Sequence, residues 1–295
     1  MKAIILAGGT GSRLYPLTQV SSKQLQAVFD KPMIYYPLTV LMASGVREFC
    51  LISTPDDLPR YQKLLGDGRQ WGILIEYREQ VKPDGIAQAF LIAADFVGSD
   101  SVTLMLGDNI FSGGDDFPRA VSSFNGGATI FAYHVKDPQR YGVVEFDRNG
   151  KAVSIEEKPH QPKSSYAVPG VYIYDNDVLK IATAVKPSAR GELEITDVNL
   201  EYLKRGTLQV RRLSRGFAWL DAGTSSALHE ASAYIEAIER RQGIKIGCPE
   251  EAALVRGFLS IKQFEALIKK MPACEYSDYL RSVADEWHRL QGEKQ

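Results

Sequence analysis

The chain has 295 residues, 44% of them hydrophobic and 24% charged, a composition that excludes disordered and fibrous classes and suits one large or two ordinary globular domains. Thirty-five basic residues against 36 acidic ones leave a formal net charge of −1, so no global field gathers nucleic acid or an anionic membrane, and any anion must be held locally. Cys50, Cys248 and Cys274 are far apart, odd in number and without a Cys-x-x-Cys spacing, which argues against a disulfide framework and a zinc site and for a reduced, cytoplasmic setting.

The first apolar run, Ala3 to Ala7, is too short for the core of a signal peptide, and no stretch reaches the roughly 20 apolar residues needed to span a bilayer. A membrane-free protein is expected. Through the first half, short β-branched runs alternate with amphipathic helical patterns: "KAIILA", "PMIYYPLTVLMASG", "EFCLIS", "LPRYQKLLGDG", "ILIEYRE", "IAQAFLIAADF" and "SVTLML". That alternation predicts right-handed βαβ units and a three-layer αβα fold around a mostly parallel sheet.

After Gly126 the pattern changes. "GATIFAYHV" and "YGVVEFDRNGKAVSIEEKP" read as strands, the latter pair joined across Asn149-Gly150, and "AVPGVYIYD" reads as another. This stretch is expected to form an antiparallel extension, a wall for a second substrate beside a first. From Thr224 onward the chain reads as helical: Leu228, Ala231, Ile235 and Ile238 share one face, and Gly243 is a plausible C-cap. The expected division is a core over 1–224, with a nucleotide part at about 1–125 and a sugar-phosphate part at about 126–224. A helical segment over 225–295 would pack on that core or on another subunit.

The stretch "LAGGTGSRLYPLT" follows the first predicted strand, so Gly8, Gly9 and Gly11 sit at the carboxyl edge of the sheet, where open α/β folds bind ligands. Bare backbone there lets successive N–H groups point at an anion, and Arg13 adds a forked phosphate donor, with Lys23 ten residues on. Leu14 stands where a dinucleotide fingerprint needs a third glycine, and the Gly-Lys-Ser/Thr of a P-loop is absent. Asp108 in "TLMLGDN" and Asp221 in "FAWLDAG" each end a predicted strand. Either alone reads as a turn former or helix cap; together, beside a phosphate loop, they suit Mg²⁺. Glu157 and Lys158 close a hairpin strand, Gly142 permits close backbone approach, and Arg190 is a further phosphate-capable cation. His134, His160, His229 and His288 show no ligand spacing and are assigned surface or packing roles.

The ordered strings "ILAGGTGSRLYPLT", "SKQL", "DKPMIYYPL", "LLGDG", "PDGIAQAF", "LGDNIF", "FAYHV", "RYGVVEF", "EEKP", "RGELEITD" and "WLDAGT" resemble the glucose-1-phosphate thymidylyltransferase family of sugar nucleotidyltransferases over nearly the whole chain. The resemblance implies a Rossmann-like nucleotidyltransferase fold and a reaction in which glucose 1-phosphate and dTTP give dTDP-glucose and pyrophosphate with Mg²⁺. By the same resemblance Gly8, Gly9, Thr10, Gly11, Ser12, Arg13 and Lys23 surround the triphosphate, and Gln24, Gln80 and Gly85 face the thymine and deoxyribose. Asp108 and Asp221 hold the metal, with Asn109 beside the substrate; Gly142, Glu157, Lys158, Val168, Tyr172 and Arg190 form the glucose 1-phosphate side. Arg13, Lys23, Asp108, Lys158 and Asp221 are the catalytic set, and a homotetramer is implied.

The chain departs from the family at Gln26 and Ala27, where leucine and proline are common, at Ala222 in place of threonine, and at Ser112-Gly113, where Tyr-Gly-His is frequent. End-product regulation is therefore not part of the expectation. Two rival readings are a uridylyltransferase acting on the same sugar phosphate, since one methyl discriminates weakly, and a regulatory subunit that binds nucleotide sugars without catalysis. Intact Arg13, Asp108, Lys158 and Asp221 argue against the second.

Overall fold

The computed structural model describes residues 1–9 and 11–292. Strand β1 (Lys2–Leu6) has three consecutive buried residues, as a strand covered on both faces requires, and lies inside a ten-stranded sheet. A short ribbon of β2 (Ala27–Val28) and β3 (Lys31–Pro32) follows, then α1 (Tyr35–Ala43), β4 (Glu48–Ser53), α2 (Leu58–Leu65) and β5 (Leu74–Glu79). Helices α3 (Gln88–Ile92) and α4 (Ala94–Val97) lead to β6 (Val102–Leu106). Strands β6, β1, β4 and β5 are neighbours in that order and all parallel. Their carboxyl ends therefore open on one edge, where the glycine turn after β1 and Asp108 after β6 emerge.

The middle of the chain supplies β7 (Asn109–Ser112), α5 (Asp116–Ser122), β8 (Ala128–His134), β9 (Gly142–Phe146), β10 (Ala152–Glu157), β11 (Tyr166–Ala167) and β12 (Val171–Tyr174). Helices α6 (Asp177–Ala184) and α7 (Ile195–Lys204) precede β13 (Leu208–Arg212) and β14 (Ala218–Asp221). The sheet runs β10-β9-β11-β8-β12-β6-β1-β4-β5, with β13 parallel to β8. Strand β12 is antiparallel to both β6 and β8, which makes it the seam between a parallel and an antiparallel half. Ala3 and Ile5 pack with Leu38, Leu41 and Met42 on one face, while Ile4 packs with Phe90 and Val178 on the other, so helices cover both faces and the three layers are as expected.

The fold refines the expectation in three places. "AVPGVYIYD" is two strands, β11 and β12, because Pro169 has no N–H to donate. At Gly170 a Cβ would stand 2.6 Å from Leu106 Cδ1, so only glycine lets the chain cross there. "IAQAFLIAADF" is broken at Ala93 into α3 and α4. The β9–β10 turn is wider than a two-residue hairpin: Gly150 has φ +80°, and Asp147 Oδ1 accepts from the N–H groups of Asn149 and Lys151.

The carboxyl-terminal segment is helical as expected, with α8 (Ser225–Gln242), α9 (Pro249–Val255), α10 (Ile261–Ile268) and α11 (Glu275–Gly292). The hydroxyl of Thr224 caps α8 by accepting from Ala227 N at 3.2 Å, and Gly243 ends it with φ 70°. Ala231 and Ile235 of α8 pack on Val28, Met33 and Tyr36, so α8 grips the loop that follows the glycine turn. No described helix is long and apolar enough to cross a membrane. The three cysteines are free thiols, and all four histidines are exposed.

Candidate active site

The glycine turn is shaped by its backbone and pinned by one buried side chain. Gly9 has φ +101° and Gly11 φ +59°, a region that L side chains rarely adopt. Gly11 O accepts from the Leu14 N–H and the Thr18 hydroxyl, each at 2.9 Å. Leu14 is buried at 1% exposure, which leaves Ser12 and Arg13, one helical turn with it, facing outward. Thr10 lies outside the described residues. At Gly8 a Cβ would fall 2.3 Å from Gln80 Oε1, so the absent side chain makes room for a buried glutamine.

A polar cluster lies behind that turn. Gln24 Nε2 reaches Gly8 O at 3.5 Å, and Gln80 Nε2 donates to Gln88 Oε1 at 2.7 Å. Gln88 also joins Asp84 through two contacts, at 3.1 and 3.3 Å. Gly85 (φ +115°) presses on the backbone of Leu193, where a Cβ would stand 2.4 Å from Leu193 O. This contact ties the nucleotide half to the loop before α7 and gives Gly85 a structural reason to be glycine.

Asp108 forms an ion pair with Lys23 and accepts from Asn109 Nδ2 at 3.0 Å. Burial alone would raise its carboxyl, but the charge and hydrogen bond of Lys23, together with Asn109, hold it below the ordinary value. Asn109 stands opposite Asp221 across the β7–β14 ribbon and accepts from Gly170 N at 3.0 Å and Trp219 Nε1 at 2.7 Å. That ribbon brings Asp221 beside Asp108. Burial and then the Asp108 charge push the Asp221 carboxyl up, and Lys23, Arg13 and Arg140 only partly offset them. The Tyr141 hydroxyl donates to Asp221 Oδ2 at 3.5 Å, and Arg140 Nη2 lies 3.7 Å from the same oxygen. A Cβ at Gly223 would come within 3.0 Å of Arg13 Nη2 and 3.2 Å of Asp221 Oδ1, so this glycine lets Arg13 approach Asp221.

On the opposite wall Glu157 Oε2 accepts from the Thr196 hydroxyl at 2.6 Å, and Lys158 Nζ lies 3.7 Å from Glu157 Oε1. Lys158 has φ +42°, a left-handed backbone that costs a side-chain-bearing residue about 1–2 kcal/mol. Its N–H donates to Tyr141 O at 3.0 Å, and Val168 N donates to Gly142 O at 2.8 Å, which stitches this wall together. Arg190 is held by carboxylates: two contacts of 2.8 and 2.9 Å to Glu194, one of 3.5 Å to Glu192 and one of 3.4 Å to Glu157.

A cleft of about 400 Å³ joins these elements. Of the expected residues, Arg13, Asp108, Asn109 and Asp221 line one side and Gly142, Glu157, Lys158, Val168 and Tyr172 the other. Lys23 reaches it through Asp108, whereas Gln24, Gln80 and Gly85 lie behind the glycine turn and Arg190 stands outside the lining. The cleft also includes Arg140, Tyr141, Thr196 and Trp219, which sequence reasoning missed. Arg140, Tyr141 and Trp219 sit inside the quoted strings "RYGVVEF" and "WLDAGT", one or two residues from Gly142 and Asp221, whereas Thr196 in "RGELEITD" lies six residues from Arg190.

Chemically, the arrangement presents two adjacent carboxylates facing separate cations across one opening, which suits two phosphorylated reactants and not a single neutral one. The sequence model of the nucleotidyl transferase family matches residues 2–238. The chain is 52% identical over 285 residues to a glucose-1-phosphate thymidylyltransferase of Xanthomonas campestris pv. campestris, covering 96% of this chain and 97% of that protein. It is 53% identical over 288 residues to one of Mycolicibacterium smegmatis, with 97% and 99% covered. A solved Bacillus anthracis structure, assigned as a glucose-1-phosphate thymidylyltransferase and in complex with a sucrose, superposes with a TM-score of 0.74 at 45% identity over 79% of this chain and 94% of that one. A UDP-glucose pyrophosphorylase complexed with UDP-glucose, 21% identical with a TM-score of 0.70 over 82% of this chain and 99% of that one, shares the fold. The chain thus belongs to the nucleotidyl transferase family, in its glucose-1-phosphate thymidylyltransferase group.

Proposed function

We propose that the chain transfers a thymidylyl group from dTTP to α-D-glucose 1-phosphate, giving dTDP-glucose and pyrophosphate. The observation that carries this reading is the single cleft in which Arg13 and the Asp108–Asp221 pair face Lys158 and Glu157. A phosphate oxygen of the sugar phosphate forms a bond to the α-phosphorus, and the bond from that phosphorus to the bridging oxygen breaks, its electron pair leaving with pyrophosphate. The attacking phosphate is already ionised, so no general base is needed. Two anions repel, and the chain's task is to hold them in line and neutralise them.

In this reading the glycine turn from Gly8 to Ser12 wraps the triphosphate and Arg13 receives the departing pyrophosphate. Lys158 holds the attacking phosphate, and Glu157, oriented by the Thr196 hydroxyl, accepts from sugar hydroxyls. Gln24 and Gln80 face the base, with Gly85 shaping the loop beside them. Arg190 joins Lys158 in positioning the attacking phosphate, its guanidinium steadied by Glu157 and Glu194. Asp108 and Asp221 are hard oxygen donors on adjacent strand ends, and among the described residues no group of three His, Cys, Asp or Glu side chains competes for a metal. That donor set fits Mg²⁺, which takes one or two protein carboxylates plus phosphate oxygens and, when bound, neutralises charge on the nucleotide phosphates. Lys23, paired with Asp108, keeps that carboxylate ionised.

The proposed unit of catalysis is 1–224, split at about residue 125 between nucleotide and sugar-phosphate parts, with 225–295 as a helical segment that supports it. A cytoplasmic homotetramer is the proposed setting, supported by free thiols, two of them buried, and by the family resemblance. The reading is tested by offering dTTP, UTP, CTP, ATP and GTP against several sugar 1-phosphates with Mg²⁺ and following pyrophosphate. dTTP with glucose 1-phosphate is expected to be fastest; a wide margin for another pair overturns it.

A further inference from the structure

The polar chain behind the glycine turn has a direction. Asp84 carries a backbone N–H, which can only donate, and a carboxylate, which when ionised can only accept. The N–H meets Gln88 Oε1 at 3.1 Å, and carboxylate Oδ2 meets Gln88 Nε2 at 3.3 Å. These two contacts grip one amide by both ends. A flipped amide would set its oxygen against the carboxylate and its nitrogen against the N–H, so the amide keeps one orientation. Gln88 is also the first residue of α3, which anchors its backbone.

Gln88 passes that direction on. The second lone pair of its Oε1 accepts from Gln80 Nε2 at 2.7 Å. Gln80 is 3% exposed, and its backbone N–H donates to Ser53 O at 2.7 Å, at the end of the parallel strands. With its nitrogen engaged, the Gln80 amide turns its oxygen the other way, against Gly8, where a Cβ would stand 2.3 Å from Oε1. Among the described residues no hydrogen bond reaches that oxygen. A buried acceptor of this kind is costly unless a ligand supplies the donor.

Pyrimidine bases differ at the atom such an acceptor reads: thymine and uracil carry a donor, N3–H, whereas N3 of cytosine is an acceptor. We propose that Gln88, held by Asp84, is a positioning residue that fixes the Gln80 oxygen toward the base, so that the site takes bases with an N3–H and turns cytosine away. This rests on the transferase reading, in which Gln80 faces the base, and deepens it by naming what selects among pyrimidines. Released from Gln88, the Gln80 amide can turn over and offer Nε2 to cytosine N3 as readily as Oε1 to thymine N3–H.

The experiment measures kcat/KM for dTTP and for dCTP, each with glucose 1-phosphate and Mg²⁺, in the wild type, Gln88→Met, Gln88→Glu and Asp84→Ala, with a thermal melt of each. Gln88→Met, close in volume, is expected to narrow the ratio of dTTP to dCTP by about tenfold, through a loss with dTTP and a gain with dCTP. Gln88→Glu stays nearer the wild-type ratio, since a carboxylate still accepts from Gln80 Nε2 and its added charge burdens both nucleotides alike. Asp84→Ala narrows the ratio less than Gln88→Met, because the backbone N–H at that position remains.

An unchanged ratio in Gln88→Met overturns the proposal. Equal losses for both nucleotides do the same, since a loop that only steadies the fold would behave that way. A wild type indifferent between dTTP and dCTP, or a Gln88→Glu variant that discriminates as poorly as Gln88→Met, also overturns it. If Gln88→Met melts below the assay temperature, Asp84→Ala decides: a narrowed ratio supports the proposal and an unchanged one refutes it. A wild type that releases no pyrophosphate from dTTP and glucose 1-phosphate defeats the transferase reading instead. Calorimetric binding of dTTP and dCTP then still decides for Gln88: a ratio narrowed in Gln88→Met supports its role, and an unchanged ratio refutes it.

Discussion

The parallel and antiparallel halves of the cleft hold anions with different materials. On the parallel side the work falls to backbone and buried pairs: a glycine turn pinned by Leu14, and Asp108 closed off by Lys23 and Asn109. On the antiparallel side it falls to side chains at strand ends, with Lys158 in a strained backbone 3.7 Å from Glu157 and Thr196 bonded to the same carboxylate. The difference teaches that the nucleotide side fixes its charges in buried pairs, whereas the second phosphate meets a half-exposed lysine that lies only loosely against Glu157. A loosely paired cation is readily given over to an arriving anion.

Removing a cation from either half is the most severe way to break that comparison. Arg13→Ala and Lys158→Ala are each expected to lower turnover by roughly 10²–10³, or about 2.7–4 kcal/mol of barrier, with circular dichroism and Tm near those of the wild type. The two should part in kinetics, Arg13→Ala acting on the nucleotide and Lys158→Ala on the sugar phosphate. Near-normal rates in both would remove the basis for assigning either half.

The aspartates sharpen the contrast through stability. Asp108 is lowered from its ordinary 3.8, so its contribution is present above that value and is lost as pH falls through its lower native value. Asp221 is raised from 3.8, so its contribution is full below that value and is lost as pH rises through its higher native value. At pH 7, Asp108→Asn should therefore lower Tm, with a cost on the order of 3 kcal/mol for leaving Lys23 unpaired. Asp221→Asn should leave Tm unchanged or raise it, while both variants lose activity. Equal Tm losses in the two would contradict the opposite environments.

The smallest effect concerns the sugar. Thr196→Val removes the 2.6 Å bond to Glu157 and should raise KM for glucose 1-phosphate about tenfold, as loss of one hydrogen bond to a charged group implies, with dTTP kinetics unchanged. A matching rise in KM for dTTP would show that Thr196 shapes the whole cleft and not its sugar side.

What the sequence revealed and concealed follows from range. Strands buried on both faces were legible because "KAIILA" and "SVTLML" are dominated by apolar residues without polar alternation, and α8 because its cap residues and apolar stripe are local. Arg13 and Asp108 were legible because a glycine turn and a strand-end carboxylate announce themselves within a few residues. Arg140 and Thr196 were not, since each acquires its place only when β9, β14 and α7 meet. Gly85 was chosen for the base, yet its left-handed backbone answers to Leu193, more than a hundred residues away. Arg190 reads as a free cation until Glu157 is folded against it. Pattern reports burial and turns well, but the state of a charge depends on partners that only the tertiary fold supplies.

The central claim is that one cleft joins an α-phosphoryl group to a sugar phosphate. It is tested most directly by incubating the protein with Mg²⁺, glucose 1-phosphate and dTTP labelled at the α-phosphorus, then separating the products. The account predicts that the label passes into dTDP-glucose and that the pyrophosphate is unlabelled. Label left in thymidine mono- or diphosphate, with glucose 1-phosphate unconsumed, would contradict it.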